Sequence, residues 1–136
     1  MSEPKINAIV LMVDDSEDDR FFFKAALAKA SKGACLFTAN DGEDALQYFS
    51  HAGRFSNPAD SPLPDYMFLD LKMPRRDGFE VLEWIAAQPI ASRFPIIVLS
   101  GSPEPADIAR AKELGARDYI IKPLTADKLR TILSED

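Results

Sequence analysis

The chain has 136 residues, 46% of them hydrophobic, which suffices for the core of one domain and leaves no apolar run long enough to cross a membrane. Its 22 acidic and 16 basic residues give a net charge of −6, which disfavours a general binder of nucleic acids or anionic membranes. A single cysteine excludes an internal disulfide, and with a single histidine it excludes a zinc site that needs several such ligands. The lone cysteine, with no signal peptide evident, favours a cytoplasmic location.

Short apolar blocks alternate with amphipathic segments along the chain. Continuous apolar runs predict buried strands, and helical spacing of apolar residues predicts the helices between them. In chain order, the predicted elements are a strand at 6–13, a helix at 17–31, a strand at 35–39, a helix after Asp41-Gly42, a strand at 66–69, a helix from Phe79 to before Pro89, a strand at 96–99, a helix at 105–114, a strand at 119–121 and a helix at 126–133.

Three local features complete this prediction. Residues 51–64 are rich in proline, glycine, serine and asparagine, which indicates a long surface loop. Ser16 followed by Asp19 resembles a capping box at the start of the first helix. The Phe21-Phe22-Phe23 run cannot be buried completely on one helix, so we expect one exposed ring, whereas Cys35 is expected to be buried in its strand.

Five strand–helix units predict an α/β fold with a doubly wound, five-stranded parallel sheet, helices on both faces and right-handed crossovers. We expect a single domain over residues 1–136, with its core at about 6–134. In such a fold the ligand site lies beyond the carboxyl ends of the strands.

Polar residues stand at the carboxyl ends of four predicted strands. They are Asp14, Asp15, Asp70, Ser100 and Lys122. Clustered carboxylates favour a bound cation, and a few carboxylates with water suit Mg²⁺ better than a fully caged Ca²⁺. A lysine and a hydroxyl can hold a phosphoryl group, and a carboxylate can be the nucleophile that accepts it. Asp70, on the central strand, is the best candidate for that nucleophile.

Each of these residues also has a simpler interpretation when taken alone. The Asp14-Asp15 pair could cap a helix, Asp70 and Ser100 could be turn residues, and Lys122 could be a solvated lysine. Their convergence on one edge of the sheet favours a functional site.

Four motifs resemble those of the receiver domain of two-component response regulators. They are Val13-Asp14-Asp15, Phe68-Leu69-Asp70-Leu71-Lys72-Met73-Pro74 with Gly78, Val98-Leu99-Ser100-Gly101, and Asp118-Tyr119-Ile120-Ile121-Lys122-Pro123. They occur in order, each at the end of a predicted strand, and the resemblance covers residues 6–134. It implies a flavodoxin-like (βα)5 fold of the chemotaxis type, with strand order 2-1-3-4-5.

The resemblance implies a metal-dependent phosphoacceptor. Asp70 would accept a phosphoryl group from a phosphohistidine of a sensor kinase. Asp15, Asp70 and the backbone carbonyl of Lys72 would bind Mg²⁺ directly, and Asp14 would assist through water. The family varies at the position of Lys72, and our own hypothesis is that this long side chain partly covers the site and prolongs the phosphorylated state.

The resemblance also implies residues that bind the phosphoryl group and respond to it. Lys122 would pair with the group, Ser100 would move to hydrogen-bond it, and Gly101 would leave room for it. Tyr119 would swing into the space that Ser100 leaves, so that both residues act as the switch. The peptide bond before Pro123 is expected to be cis.

The 51–64 loop and the Met73–Gly78 stretch resemble those of small stand-alone receivers that serve phytochrome-type histidine kinases. The implied partners are such a kinase or a histidine phosphotransfer protein, and a downstream protein that binds the surface formed by the fourth helix, fifth strand and fifth helix. A homodimer is a further option. Because the chain ends at Asp136, directly after the last helix, we expect output through protein contacts, with neither a nucleic acid nor a membrane as partner.

Two other functions compete with a phosphorylation-controlled switch. A Mg²⁺-dependent phosphatase of the haloacid dehalogenase type would also form an aspartyl phosphate, but such enzymes typically have a second aspartate at the position that Lys72 occupies here. A degenerate receiver would only bind partners, and the intact acidic pair, acceptor and lysine argue against it. We therefore expect no enzyme activity beyond self-phosphorylation from a donor and autodephosphorylation.

Overall fold

The computed structural model describes residues 8–134, so residues 6 and 7 of the predicted first strand lie outside the described range. Strands and helices alternate along this range. The strands are β1 (Ile9–Val13), β2 (Cys35–Ala39), β3 (Tyr66–Leu69), β4 (Ile96–Ser100) and β5 (Asp118–Ile121), and the helices are α1 (Glu17–Ala30), α2 (Gly42–Ser50), α3 (Gly78–Ala86), α4 (Pro105–Glu113) and α5 (Ala126–Ser134). Among these described helices, none combines the length and apolar character that a membrane span requires.

The five strands form one parallel sheet in the order β2-β1-β3-β4-β5. This confirms the doubly wound fold and the strand order that the sequence implied. The three inner strands are buried along almost their whole length, whereas the edge strands β2 and β5 are partly exposed. The inner strands can therefore be continuous apolar runs, because helices cover both of their faces.

Each face of the sheet carries its own apolar core. Alternation along β1 sends Leu11 and Val13 to the face covered by α2, α3 and α4, and Val10 and Met12 to the face covered by α1 and α5. The two helical layers hold the central strands in place, and with them the loops at their carboxyl ends.

The long connection between α2 and β3 packs against the domain and contains two short 3-10 turns, Gly53–Phe55 and Pro58–Asp60. Phe55 is buried within the core. Arg54 forms a salt bridge with Asp44 on α2, with 2.6 Å between Nη2 and Oδ2, and also donates to the carbonyl of Thr38. This connection is therefore anchored at its first turn.

Two expectations about single side chains are wrong. Cys35 is exposed, because it is the first residue of an edge strand. Two phenylalanine rings of α1 are exposed where one was expected: Phe21 and Phe22 are each 66% exposed and form an edge-to-face pair. Only Phe23 of the run points inward, where its ring lies 4.9 Å from that of Phe68.

Candidate functional site

The loops at the carboxyl ends of four strands meet at one edge of the sheet. Asp14 and Asp15 follow β1, Asp70 follows β3, Ser100 ends β4 and Lys122 follows β5. Parallel neighbouring strands end at the same edge, which brings residues distant in sequence together. The sequence predicts that these five residues lie at one edge of the sheet, and the structure confirms it.

Three carboxylates form the centre of the site. Asp14, Asp15 and Asp70 each offer one oxygen, and these three oxygens lie within 4.8 Å of one another. Asp14 is fully buried, Asp70 is nearly so, and Asp15 is open to solvent. Such a donor set, with oxygen ligands and one side open to water, fits a hard divalent cation such as Mg²⁺.

Backbone N–H groups orient the two buried carboxylates. Asp14 Oδ1 accepts a hydrogen bond of 2.9 Å from the N–H of Ser16, and Asp70 Oδ1 accepts one of 2.9 Å from the N–H of Leu71. One oxygen of each carboxylate is thereby fixed by the chain itself, which limits how the carboxylate can rotate.

The surroundings of Asp70 make its ionised form costly. Burial raises the pKa of the Asp70 carboxyl, the nearby charges of Asp14 and Asp15 raise it too, and the pKa comes to about 6 despite the opposing effects of Lys122 and the Leu71 N–H. Like charges held this closely favour a bound cation, which would relieve their repulsion.

Lys122 carries the positive charge of the site. Its Nζ lies 2.8 Å from Asp14 Oδ2, 2.7 Å from Asp19 Oδ2 and 3.7 Å from Asp70 Oδ2. Burial by itself favours the neutral amine, but hydrogen bonds to Asp14 and Asp19 and the charge of Asp70 outweigh it and raise the pKa of Lys122. The side chain is therefore a cation surrounded by three carboxylates.

Asp19 is a site residue that sequence reasoning missed. Ser16 Oγ accepts a hydrogen bond from the Asp19 N–H at 3.2 Å, as in a capping box, but the Asp19 carboxylate binds Lys122 instead of completing the box. The signal that could have identified it is its place in the first turn of α1, immediately after the Asp14-Asp15 loop.

The loop after β4 lines a cleft that also contains Asp70, Lys72 and Lys122. Ser100 is buried, and its Oγ accepts a 3.2 Å hydrogen bond from the N–H of Ser102. A Cβ built on Gly101 would have no other group within 4 Å, so space is available there. On the next loop, the Lys122–Pro123 peptide bond is cis.

Tyr119 is linked to the same loop. Its half-buried ring packs against the core on the α2, α3 and α4 face, and its hydroxyl donates a 2.8 Å hydrogen bond to the carbonyl of Ser102. Ser102 thus contacts both residues for which the family resemblance implied a switch role. It contacts Ser100 through its N–H and Tyr119 through its carbonyl.

The loop that carries Lys72 lies directly against the start of α3. The N–H of Gly78 donates a 2.8 Å hydrogen bond to the Leu71 carbonyl, and a Cβ on Gly78 would overlap the backbone oxygen of Asp70. Glycine at this position therefore allows α3 to begin directly against the acceptor loop.

Two arginines in that loop bind the start of α2. Arg75 forms a 2.7 Å salt bridge with Asp41, and Arg76 forms one of 2.7 Å with Glu43. Both arginines have positive φ angles, 55° and 118°, which residues other than glycine adopt at a cost. The salt bridges help to hold the loop in this conformation.

Comparison with known proteins agrees with this geometry. The response regulator receiver domain family matches residues 10–134. The chain is 32% identical over 114 residues to response regulator Rcp1 of Synechocystis sp., which covers 84% of this chain and 76% of Rcp1. It is 35% identical to the probable transcriptional regulator ycf27 of Guillardia theta over 88% of this chain, but it spans 41% of that protein's length.

Solved structures show the same likeness. The phosphorylated cyanobacterial phytochrome response regulator RcpA superimposes with a TM-score of 0.79 at 31% identity, covering 94% of this chain and 89% of RcpA. The Mn²⁺-bound form of Rcp1 superimposes with a TM-score of 0.76 at 30% identity, covering 93% and 89% of the two chains. These relatives agree with the resemblance to phytochrome-associated receivers, and the chain belongs to the response regulator receiver domain family.

Proposed function

We propose that this chain accepts a phosphoryl group on Asp70 from a phosphohistidine, in a reaction that requires Mg²⁺. The observation that supports this function best is the cluster of Asp14, Asp15 and Asp70 with the Lys122 ammonium among them. A carboxylate oxygen of Asp70 would form a bond to phosphorus while the bond from phosphorus to the imidazole nitrogen breaks. The imidazole leaves with the electron pair of that bond.

The other residues of the site would stabilise the charge of this transfer. Asp15, Asp70 and the Lys72 carbonyl would hold Mg²⁺ directly, with Asp14 bound through water. When bound, Mg²⁺ would neutralise charge on the phosphoryl oxygens. Lys122 would pair with the phosphoryl oxygens as a positive point charge.

The phosphoryl group would also have to contact the loop after β4. Ser100 would hydrogen-bond the group and Gly101 would make room for it. Tyr119 would then move as Ser100 moves, since both contact Ser102. Phosphorylation would thus shift an existing equilibrium between two arrangements of the α4–β5–α5 surface.

We further propose the setting in which this switch acts. The likeness to RcpA, a phytochrome response regulator, supports a phytochrome-type histidine kinase as the donor, with a histidine phosphotransfer protein as the other source. A downstream protein, or a second copy of the chain, would bind the α4–β5–α5 surface. The chain would act in the cytoplasm as one receiver domain and a non-enzymatic transducer.

Labelling with a small phosphodonor tests this proposal. Wild type incubated with acetyl phosphate and Mg²⁺ is expected to gain the mass of one phosphoryl group, and Asp70→Asn is expected to gain none. EDTA should prevent the labelling, which intact-protein mass spectrometry measures directly.

Two results would contradict the proposal. If neither protein gains mass while a known receiver labels in parallel, the chain is a binding module without phosphoacceptor activity. If no adduct accumulates and phosphate is also released continuously from a phosphate monoester such as p-nitrophenyl phosphate, the chain is a phosphatase, because autodephosphorylation of a receiver accounts for release from acetyl phosphate alone.

The lifetime of the adduct depends, we expect, on Lys72. This exposed side chain lines the cleft over Asp70 and would obstruct the water that hydrolyses the phosphoryl group. Lys72→Ala is therefore expected to lose phosphate severalfold faster than wild type after the donor is removed. Lys128→Ala, at an exposed lysine on α5, is the control with the same charge change, and equal rates for all three proteins would refute this role.

A further inference from the structure

We propose that Asp19 holds Lys122 in the resting protein and competes with the phosphoryl group for it, so that Asp19 limits the rate of phosphorylation. This inference rests on the proposed role of Asp70 as the phosphoacceptor. It concerns a residue outside the acidic pair, the acceptor and the switch residues.

The distances show which carboxylates hold Lys122. Its Nζ donates hydrogen bonds to Asp14 and Asp19, at 2.8 Å and 2.7 Å, while Asp70 Oδ2 is 3.7 Å away. An ammonium has three N–H donors, and two of them are thereby engaged. Only one donor is left for a phosphoryl group on Asp70, and a second becomes available only when Lys122 releases Asp14 or Asp19.

Asp14 and Asp19 differ in how readily they can release the lysine. The Asp14 side chain is fully buried and its other oxygen is fixed by the Ser16 N–H, so losing Lys122 would leave a charge uncompensated in the interior. The Asp19 side chain is 39% exposed, so water can replace the lysine. Asp19 is therefore the partner that the phosphoryl group would displace.

The position of Asp19 also affects the incoming donor. Asp19 lines the same cleft as Asp70, Ser100 and Gly101. A phosphodonor that enters this cleft carries negative charge, and the Asp19 carboxylate repels it. Repulsion of the donor and retention of Lys122 act in the same direction, since both slow the transfer to Asp70.

The chain offers a closely matched control in the preceding residue. Asp18 and Asp19 both lie in the first turn of α1, where a carboxylate interacts favourably with the helix dipole. Asp18→Asn and Asp19→Asn therefore change the net charge equally and weaken the same helix end. Asp18 is exposed to solvent, whereas Asp19 contacts Lys122.

The test compares initial rates of labelling by acetyl phosphate with Mg²⁺ at fixed ionic strength. Asp19→Asn and a second variant, Asp19→Ala, are expected to label about three- to fivefold faster than wild type. Asp18→Asn is expected to label at the wild-type rate. Asp19→Glu keeps a carboxylate at this position and is expected to label at a rate closer to that of wild type. Thermal melting of each variant checks that it is folded.

The outcomes separate this inference from the proposed function. If wild type does not label at all, the proposed function fails. If wild type labels but both Asp19 variants label no faster than wild type, or if Asp18→Asn accelerates labelling equally, Asp19 does not restrain Lys122 and the inference is overturned.

Discussion

Replacing Gly78 by alanine is expected to lower the free energy of unfolding by about 3 kcal/mol, because the new methyl group would overlap backbone atoms that cannot rotate away. The Cβ would overlap the carbonyl oxygen of Asp70 and lie 2.8 Å from the Cα of Leu71. For a domain of this size the loss corresponds to a fall in melting temperature of about 10 °C, which calorimetry would measure. Any backbone shift that relieves this overlap would move Asp70 and reduce its labelling by acetyl phosphate.

Gly101→Ala is the matched control for this substitution. Gly101 also lies at the site, but a Cβ there would meet no other group within 4 Å. Its melting temperature is expected to stay within a few degrees of wild type. If Gly78→Ala melts at the wild-type temperature, the close approach of α3 to the acceptor loop is not a constraint on the fold.

Asp70→Asn is expected to have the opposite effect on stability, raising the free energy of unfolding of the metal-free protein by about 2 kcal/mol at pH 7. Burial and the charge of Asp14 raise the pKa of Asp70 to about 6, from a usual value of about 4. The folded state therefore binds this proton more tightly than the unfolded chain does. At pH 7 the ionised carboxylate destabilises the fold, and asparagine removes that charge while Lys122 keeps Asp14 and Asp19 as partners.

The destabilisation by the Asp70 carboxylate decreases as the pH falls. The destabilisation by Asp70 is fully present above pH 6, shrinks as the pH falls from about 6 to about 4, and vanishes below the pKa of the unfolded chain. Chemical denaturation in EDTA should therefore show the two proteins converging toward pH 4. Asp15→Asn removes an exposed carboxylate and is expected to stabilise the protein less than Asp70→Asn does. If wild type is as stable as Asp70→Asn at pH 7, the ionised Asp70 carboxylate does not destabilise the fold.

The fold could be predicted because each inner strand is a continuous apolar run. Such runs need cover on both faces, and five strands that alternate with amphipathic segments have few arrangements apart from a doubly wound sheet. The exposure of Cys35, Phe21 and Phe22 could not be predicted, because it depends on which strand is at the edge and which way α1 faces.

The candidate site was predictable to the extent that strand ends define it. Asp14, Asp70 and Lys122 could be placed at one edge because parallel strands end together. Asp19 and the salt bridges of the arginine pair at 75–76 were not predicted, because they depend on the direction of side chains on helices and loops. Apolar periodicity contains no information about those directions.

The connection between α2 and β3 has an exposed stretch between two packed ends, since Ser61 is buried and Pro62 accepts a hydrogen bond from Tyr48, and the stretch and the ends differ in their tolerance of sequence change. Arg54 and Phe55 fasten its first turn to the domain, whereas residues 56–60 are exposed. Lengthening a chain segment that already lies in solvent adds little entropy cost, since that cost grows only slowly with length. The second turn, Pro58–Asp60, is therefore a suitable place to graft a fluorescent reporter or affinity tag without disturbing the edge of the sheet that carries Asp70.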